Sequence, residues 1–363
     1  MKPYPDTSFA SGFLPGQAPL THLPKAYEAW DTAARHLPDY LTKGNARKRL
    51  EKLPDFAHQQ LSTAAELERA MLVLSFLAHA YVCEGGASSG HLAAVIAVPW
   101  VAIANRLGRV PIISHASLVL HNWRLLKEDA PLTADNLKAL LQFTHQADES
   151  WFYMATVEVE FSGRKLPGLL LDLHKYILVE DEPYVAKCLQ QLQETIEAMH
   201  QSLNRMRIGC RPEVFYHEIR PYLASFRDIH YEGVADPLRS YHGGSAAQSS
   251  LLQSIDSALG IMHPEARSRA YLKEMLNYMP PAHAAFIKRL AKGPDVQAFC
   301  RRDALLDSAY SACIQAVMSL RNEHLKIVAE YILSQASGPA LGTGGTNPVD
   351  FLKQLRNDTG KRR

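Results

Sequence analysis

Cysteine is scarce in this chain, and what there is does not pair. Only five occur among 363 residues (Cys83, Cys188, Cys210, Cys300 and Cys313), an odd number with no Cys-x-x-Cys spacing. That pattern argues against a disulfide framework and a structural zinc site, and it fits a reducing cytoplasm. An excess of one charge sign is missing too: 39 Lys and Arg against 37 Asp and Glu leave a net charge of +2. A nucleic-acid footprint needs a basic face, so none is expected, and the short tail Lys361 to Arg363 reads as a solvated end. Long apolar runs are lacking. The best, Ala70 to Val82, is interrupted by His79 and falls short of the roughly 20 residues that a bilayer demands. Met1 to Gly12 has no apolar core of a secretory signal. No His-Glu-x-x-His, Cys-x-x-Cys-His or Gly-x-Ser-x-Gly motif is present, so zinc hydrolysis and serine-nucleophile chemistry lose support. Repeats and low-complexity tracts are absent as well.

What is there is an ordinary globular composition, 47% hydrophobic and 21% charged, at a length that suggests about two domains. Residues 1 to about 25 are rich in proline and polar groups and read as an extended arm. From Pro24 the pattern turns helical. Tyr27, Trp30, Ala34 and Leu37 share a face, Ala64 to Val82 makes a more buried helix, and Val95 to Leu107 a third that Pro99 bends or starts. The polar stretch Thr144 to Ser150 is the preferred boundary. Helices are expected beyond it around Pro183 to Leu203, Pro212 to Phe226, Ser249 to Met262, Ser268 to Asn277, Ala282 to Ala291 and Ala304 to Leu333. One segment competes: Val157, Val159 and Phe161 alternate with glutamates in a period of two, which propensity reads as a strand.

Four groups of residues could carry chemistry. Tyr310, Cys313, Val317, Leu320, His324, Ile327 and Tyr331 recur at spacings of three and four, so His324 lies in an apolar helical stripe. Its ring has one nitrogen that must donate and one that must accept, and a carbon-lined face supplies neither partner. A core histidine bonded to a carbonyl would satisfy it; so would a metal or haem iron. The small residues Gly243 to Ser250 could let a flat ligand approach the backbone, or simply form a loop with a serine helix cap. Gly342 to Thr346, before Asn347 and Pro348, could hold an anion on free amides or serve as a linker. Phe215, Tyr216 and Arg220 suit a planar ligand bearing a carboxylate, although Pro221 disturbs the helix there.

Together these residues resemble the indoleamine 2,3-dioxygenase family of haem enzymes, nearly end to end. Gly-Phe-Leu-Pro at 12–15, His-Leu-Pro-Asp at 36–39, Leu-Glu-Lys-Leu at 50–53, Ala-Val-Pro at 97–99 and Asn-Trp at 122–123 are similar to its N-terminal part. Gly243 to Ser250, Asn-Tyr-Met-Pro-Pro-Ala-His at 277–283, Ser-Leu-Arg at 319–321 with His324, and Gly-Thr-Gly-Gly-Thr at 342–346 are similar to its C-terminal part.

The resemblance implies an all-α, two-domain protein: a small helical domain, 1–147, covering the distal side, and a large helical domain, 148–363, holding one haem b. His324 would be the proximal iron ligand, with Arg321 facing a propionate and Gly244, Ser245 and Asp256 among the cofactor-binding residues. Family members insert both atoms of O2 across the indole C2–C3 bond of tryptophan, giving N-formylkynurenine. L-tryptophan or a related indole, dioxygen and an unidentified reductant are thus the implied partners, with no nucleic acid and no membrane. Phe215 and Tyr216 would pack on the indole and Arg220 would bind the carboxylate. Ser245 and Ala246 would line the distal pocket, and Thr343 would close the amino-acid end. Thr156 stands where the mammalian pattern has serine, Tyr216 where it has phenylalanine, and His115 where it has tyrosine. His115 is also similar to the distal histidine of the tryptophan 2,3-dioxygenases, which meets the indole N–H. The resemblance is to a bacterial-type member, and these departures leave the substrate open. His283 is expected to be structural, and the segment around Thr156 is expected to be helical after all. Alternatives are an oxygenase for another indole or aromatic amino acid, and a haem-binding sensor without catalysis.

Overall fold

Helix α1 (Ala64–Cys83) is apolar on every side from Ala70 onward, and a helix of that kind can only lie inside. Its start is fixed by a capping box in which the Thr63 hydroxyl accepts from the Glu66 amide and the Glu66 carboxylate from the Thr63 amide. The computed structural model describes residues 9–86, 88–336 and 348–361. Around α1 lie α2 (Ala94–Leu107), which carries Pro99 inside it and ends at the left-handed Gly108, and the start of α3 (Ala147–Ser162). Trp30, Phe76, Trp100, Phe143 and Tyr153 fill this first core. A second core joins α4 (Leu166–Leu178), α5 (Glu182–Asn204), α6 (Ser250–Leu259) and α7 (Ala304–Val328) through Leu170, Leu189, Ile196, Ile255, Cys313 and Val317. Helix α8 (Pro348–Thr359) packs along α7. All five cysteines are free thiols, as expected from their spacing.

The expected helices are found within a few residues of their bounds. Two expectations change. The protein is mostly helical rather than all-α, because β1 (His91–Leu92), β4 (Phe226–Tyr231) and β5 (Leu238–Tyr241) form a small sheet in the order β1-β4-β5, while β2 (Trp123–Leu125) pairs with β3 (Leu137–Ala139). The helical reading to Phe226 stops early: a widened turn, Phe215–Ile219, gives way at Pro221 to a tighter one, Arg220–Leu223, and the chain then extends. Phe226, Ile229 and Tyr231 are buried in β4, but a register shift between Phe226 and Ile229, with Asp228 at φ 51°, breaks the period of two that would have announced a strand.

The strand-like Thr156 segment is helical, inside α3, as the family resemblance implied. Its alternation misleads because the glutamates are not solvent-facing. Glu158 accepts from the Ala134 amide at 2.7 Å, and Glu160 accepts from Ser249 at 2.6 Å, so both carboxylates are buried with partners.

His79, in the middle of α1, is completely buried and holds three segments together. One ring nitrogen, Nδ1, lies 2.8 Å from the Tyr222 carbonyl, and Nε2 accepts from the Ile113 amide at 3.1 Å, which fixes a neutral ring protonated on Nδ1. The ring stacks on Phe226 with centroids 4.2 Å apart. Burial pushes its pKa down to about 3. The folded value lies below the unfolded one near 6.5, so the unfolded chain takes up the proton first and stability falls as pH drops from 6.5 toward 3. Urea unfolding should therefore lose about 2 kcal/mol from this residue between pH 7 and pH 5. In His79→Gln the acid-side loss should shrink by that amount, while stability at pH 7 drops by about 1–3 kcal/mol; identical pH slopes in the two proteins would contradict the assignment.

Candidate functional site

The stripe on α7 runs from the second core into a cavity. Asp303 caps α7, accepting from the Leu305 and Leu306 amides, and the helix then carries Tyr310, Cys313, Val317 and Leu320 inward before presenting His324. The cavity has an empty volume of about 1570 Å³, a figure that includes space open to solvent. His324 lines it with Ile327, Val328 and Tyr331, along with Phe152 and Thr156 of α3, Phe215, the 244–247 loop, and Phe351 and Leu355 of α8. Most of this wall is carbon.

His324 makes no hydrogen bond or ion pair with any described residue. Burial, with the Arg321 charge adding to it, pushes its pKa down to about 4, so the ring is neutral at pH 7. Its half-open surface faces the cavity rather than bulk water. One helical turn earlier, Arg321 is buried and gives Nη2 to Asp256 Oδ2 at 2.6 Å and Nη1 to Thr359 and the Leu355 carbonyl. Its Nε, and Oδ1 of Asp256, are buried without a partner among the described residues. Burial alone would raise the Asp256 carboxyl, but Arg321 and His263, the latter 3.0 Å away, outweigh it and hold the group below its ordinary value. His263 also stands 3.5 Å from Asp358 of α8. A neutral imidazole without a partner, an orphaned guanidinium N–H and a large carbon-walled space together fit an iron porphyrin with acidic side arms. No group of three or more His, Cys, Asp or Glu is arranged to hold a metal ion among the described residues, so a single imidazole would serve a cofactor that brings its own donors.

The expected site residues separate into three sets. His115, Thr156, Phe215, Gly244, Ser245, Ala246, Asp256, Arg321 and His324 all line the cavity. Tyr216 and Arg220 do not; Tyr216 follows Phe215 on the widened turn and Arg220 opens the tighter turn after it, with the Arg220 guanidinium 5.1 Å from the Tyr216 ring centre. Thr343, with its glycine run, lies outside the described residues. The Gly243 to Ser250 run has two uses. A Cβ at Gly243 would come within 2.1 Å of the Leu223 carbonyl oxygen, so that glycine serves backbone packing, whereas Gly244 faces the cavity. Ser249 caps α6, as the plainer reading expected. His283 is half-buried and reaches Ser250 Oγ at 3.1 Å, and it is not among the residues that line the cavity, in keeping with a structural role. The Thr156 hydroxyl donates to the Phe152 carbonyl at 2.8 Å and so keeps only lone pairs for the cavity.

Sequence reasoning missed Glu160, whose Oε1 lies 2.8 Å from His115 Nε2, and Ser249, which also lines the cavity. The available signal was spacing: Thr156 and Glu160, four apart, share one helical face.

Removing one member of the Arg321–Asp256 pair should leave the other charged and buried. Asp256→Ala should cost about 3–5 kcal/mol in urea unfolding, whereas Asp256→Leu combined with Arg321→Met should cost clearly less; equal losses would show that the charge pairing is not what matters.

Comparison with known proteins gives the family. The family model "Indoleamine 2,3-dioxygenase" matches residues 5–340. The chain is 32% identical to indoleamine 2,3-dioxygenase 1 of Rattus norvegicus, over 94% of this chain and 91% of that protein. It is 31% identical to indoleamine 2,3-dioxygenase of Saccharomyces cerevisiae, over 96% of this chain and 90% of the relative. At 31% it also matches a 6-hydroxytryptophan 2,3-dioxygenase of Fusarium equiseti, over 97% of this chain and 95% of that one. These relatives are animal and fungal, so none of them carries the bacterial-type placement. Family membership makes the protein a dioxygenase and implies haem, which leaves the non-catalytic sensor without support. A uncommitted imidazole over a large carbon-walled cavity, a match across most of the chain and relatives above 30% identity converge: the chain belongs to the indoleamine 2,3-dioxygenase family.

Proposed function

We propose that the protein holds one haem b through His324 and inserts both atoms of O2 across the indole C2–C3 bond of L-tryptophan, giving N-formylkynurenine. The observation that carries this reading is His324 itself, a neutral imidazole that opens on the cavity with no partner among the described residues. When bound, the haem iron supplies dioxygen activation. The protein's own residues bind, orient and shield. Arg321 Nε, buried and unpaired among the described residues, would meet a propionate, with Asp256 holding the guanidinium in place. Phe215 and Phe152, ring centres 4.6 Å apart, would form the aromatic wall for the indole. Arg220 would bind the substrate carboxylate: burial lowers its pKa, with Tyr216 opposing, and a partly desolvated guanidinium gains most from an anion. Ser245 and Ala246 would line the distal space and Thr343 would close it, keeping water from the reacting atoms. A reductant that keeps the iron ferrous belongs to the same proposal, as do the division into 1–147 and 148–363 and a cytoplasmic setting. Among the described residues, no helix is long and apolar enough to cross a membrane.

A ring-substituted indole is the second reading. The Fusarium equiseti relative is named for 6-hydroxytryptophan, and this cavity carries a polar patch, His115 and Ser249, within its carbon wall.

Labelled oxygen separates the readings: turnover of L-tryptophan under 18O2 should give N-formylkynurenine with two labelled atoms, and no turnover of tryptophan beside turnover of a hydroxylated indole would favour the second. His324→Ala should lose the haem on purification or lose its five-coordinate ferrous spectrum; an unchanged spectrum would refute the ligand. Arg220→Ala should raise KM for tryptophan about 10–100-fold more than for an indole lacking the carboxylate. Equal effects on both would remove Arg220 from the site.

A further inference from the structure

A buried hydrogen-bonded chain runs from the cavity wall inward, from His115 to Glu160, which Ser249 also meets. His115 is 6% exposed, lines the cavity, and has Nε2 at 2.8 Å from Glu160 Oε1. Glu160 is 1% exposed, and the same oxygen receives the Ser249 hydroxyl at 2.6 Å. The direction of that second bond is fixed locally. As the cap of α6, Ser249 Oγ accepts from the Leu251 amide at 3.3 Å, so its proton is left for Glu160. The main chain of His115 is tied down as well, its amide donating to Gln248 Oε1 at 2.9 Å while Gln248 Nε2 donates to the Gly243 carbonyl at 2.8 Å. Both the ring and the backbone of His115 are therefore held in one orientation.

A carboxylate can only accept, so the nitrogen facing Glu160 must carry the proton. In a neutral ring that leaves Nδ1 with a lone pair. Nδ1 has no hydrogen-bond partner among the described residues, and His115 faces the cavity. We infer that Glu160, supported by Ser249, is a positioning residue: it fixes His115 in the Nε2–H form, and so decides that the contact with the substrate ring N–H implied by the resemblance is made by Nδ1. This rests on the indole reading above. The neighbouring polar group, Thr156, has spent its proton on the Phe152 carbonyl, so it too has only lone pairs to offer a ligand. A site that accepts from a ring N–H discriminates against an isosteric ring without one, because the acceptor is then left unpaired.

The test uses the haem-loaded ferrous protein, with dissociation constants read from the visible spectrum for L-tryptophan and for its benzothiophene analogue, in which sulfur replaces the ring N–H. Wild type should prefer tryptophan by at least about fivefold. Glu160→Leu and His115→Phe should each reduce that preference below about twofold, and the double variant should show no further loss, since both act on one contact. Full discrimination in Glu160→Leu, or losses that add in the double variant, would overturn the inference while leaving the tryptophan reading intact. Failure of wild type to bind either compound would defeat that reading and this inference with it. A second measurement needs neither a Glu160 variant nor a substrate. In 15N-histidine-labelled protein held as the diamagnetic ferrous carbon monoxide complex, the signal that disappears in His115→Phe should show an unprotonated Nδ1; a protonated Nδ1 overturns the proposal.

Discussion

Because His324 sits on a helix face whose other residues are buried and mostly apolar, its ring finds no partner among the described residues, and it lines the cavity. A polar group in that position costs stability until something binds it. The rest of the architecture serves that one ring. Helix α7 is capped by Asp303 and anchored by Tyr310, Cys313 and Val317 in the second core, so the imidazole is carried on a rigid element rather than a loop.

Behind the ring lies a charged chain that crosses three helices. Arg321 on α7 meets Asp256 on α6, Asp256 meets His263, and His263 stands near Asp358 on α8, which Lys361 also contacts at 2.8 Å. Buried pairs of this kind contribute little net stability, yet they tolerate only one arrangement of the elements that carry them. Their consequence here is geometric: α8, which supplies Phe351 and Leu355 to the cavity, is tied to the helix that supplies His324.

Polarity across the cavity is uneven. Aromatic and aliphatic groups make most of it, and two of the exceptions are supported from behind, His115 by Glu160 and Arg321 by Asp256. Supported polar groups orient a ligand without needing to move when it arrives. That arrangement suits a reaction in which the cofactor carries the difficult chemistry and the protein holds the reactants.

Sequence by itself determined the helical body, the free cysteines and the position of His324, because each is written in local terms: a period of three to four, a spacing, a ring without a partner. The family resemblance also placed Thr156 on a helix where propensity argued for a strand, and its glutamates explain the conflict, since Glu158 and Glu160 are buried against partners far along the chain. Only the tertiary structure decided the rest. The β1-β4-β5 sheet depends on pairing across more than a hundred residues and on a bulge at Asp228 that erases the local period. Nor could any pattern along the chain bring Glu160 and Ser249 to His115, or keep Tyr216 and Arg220 off the cavity wall while Phe215 lines it. Those placements follow from which helices pack together, and packing is a property of the whole core rather than of any one segment.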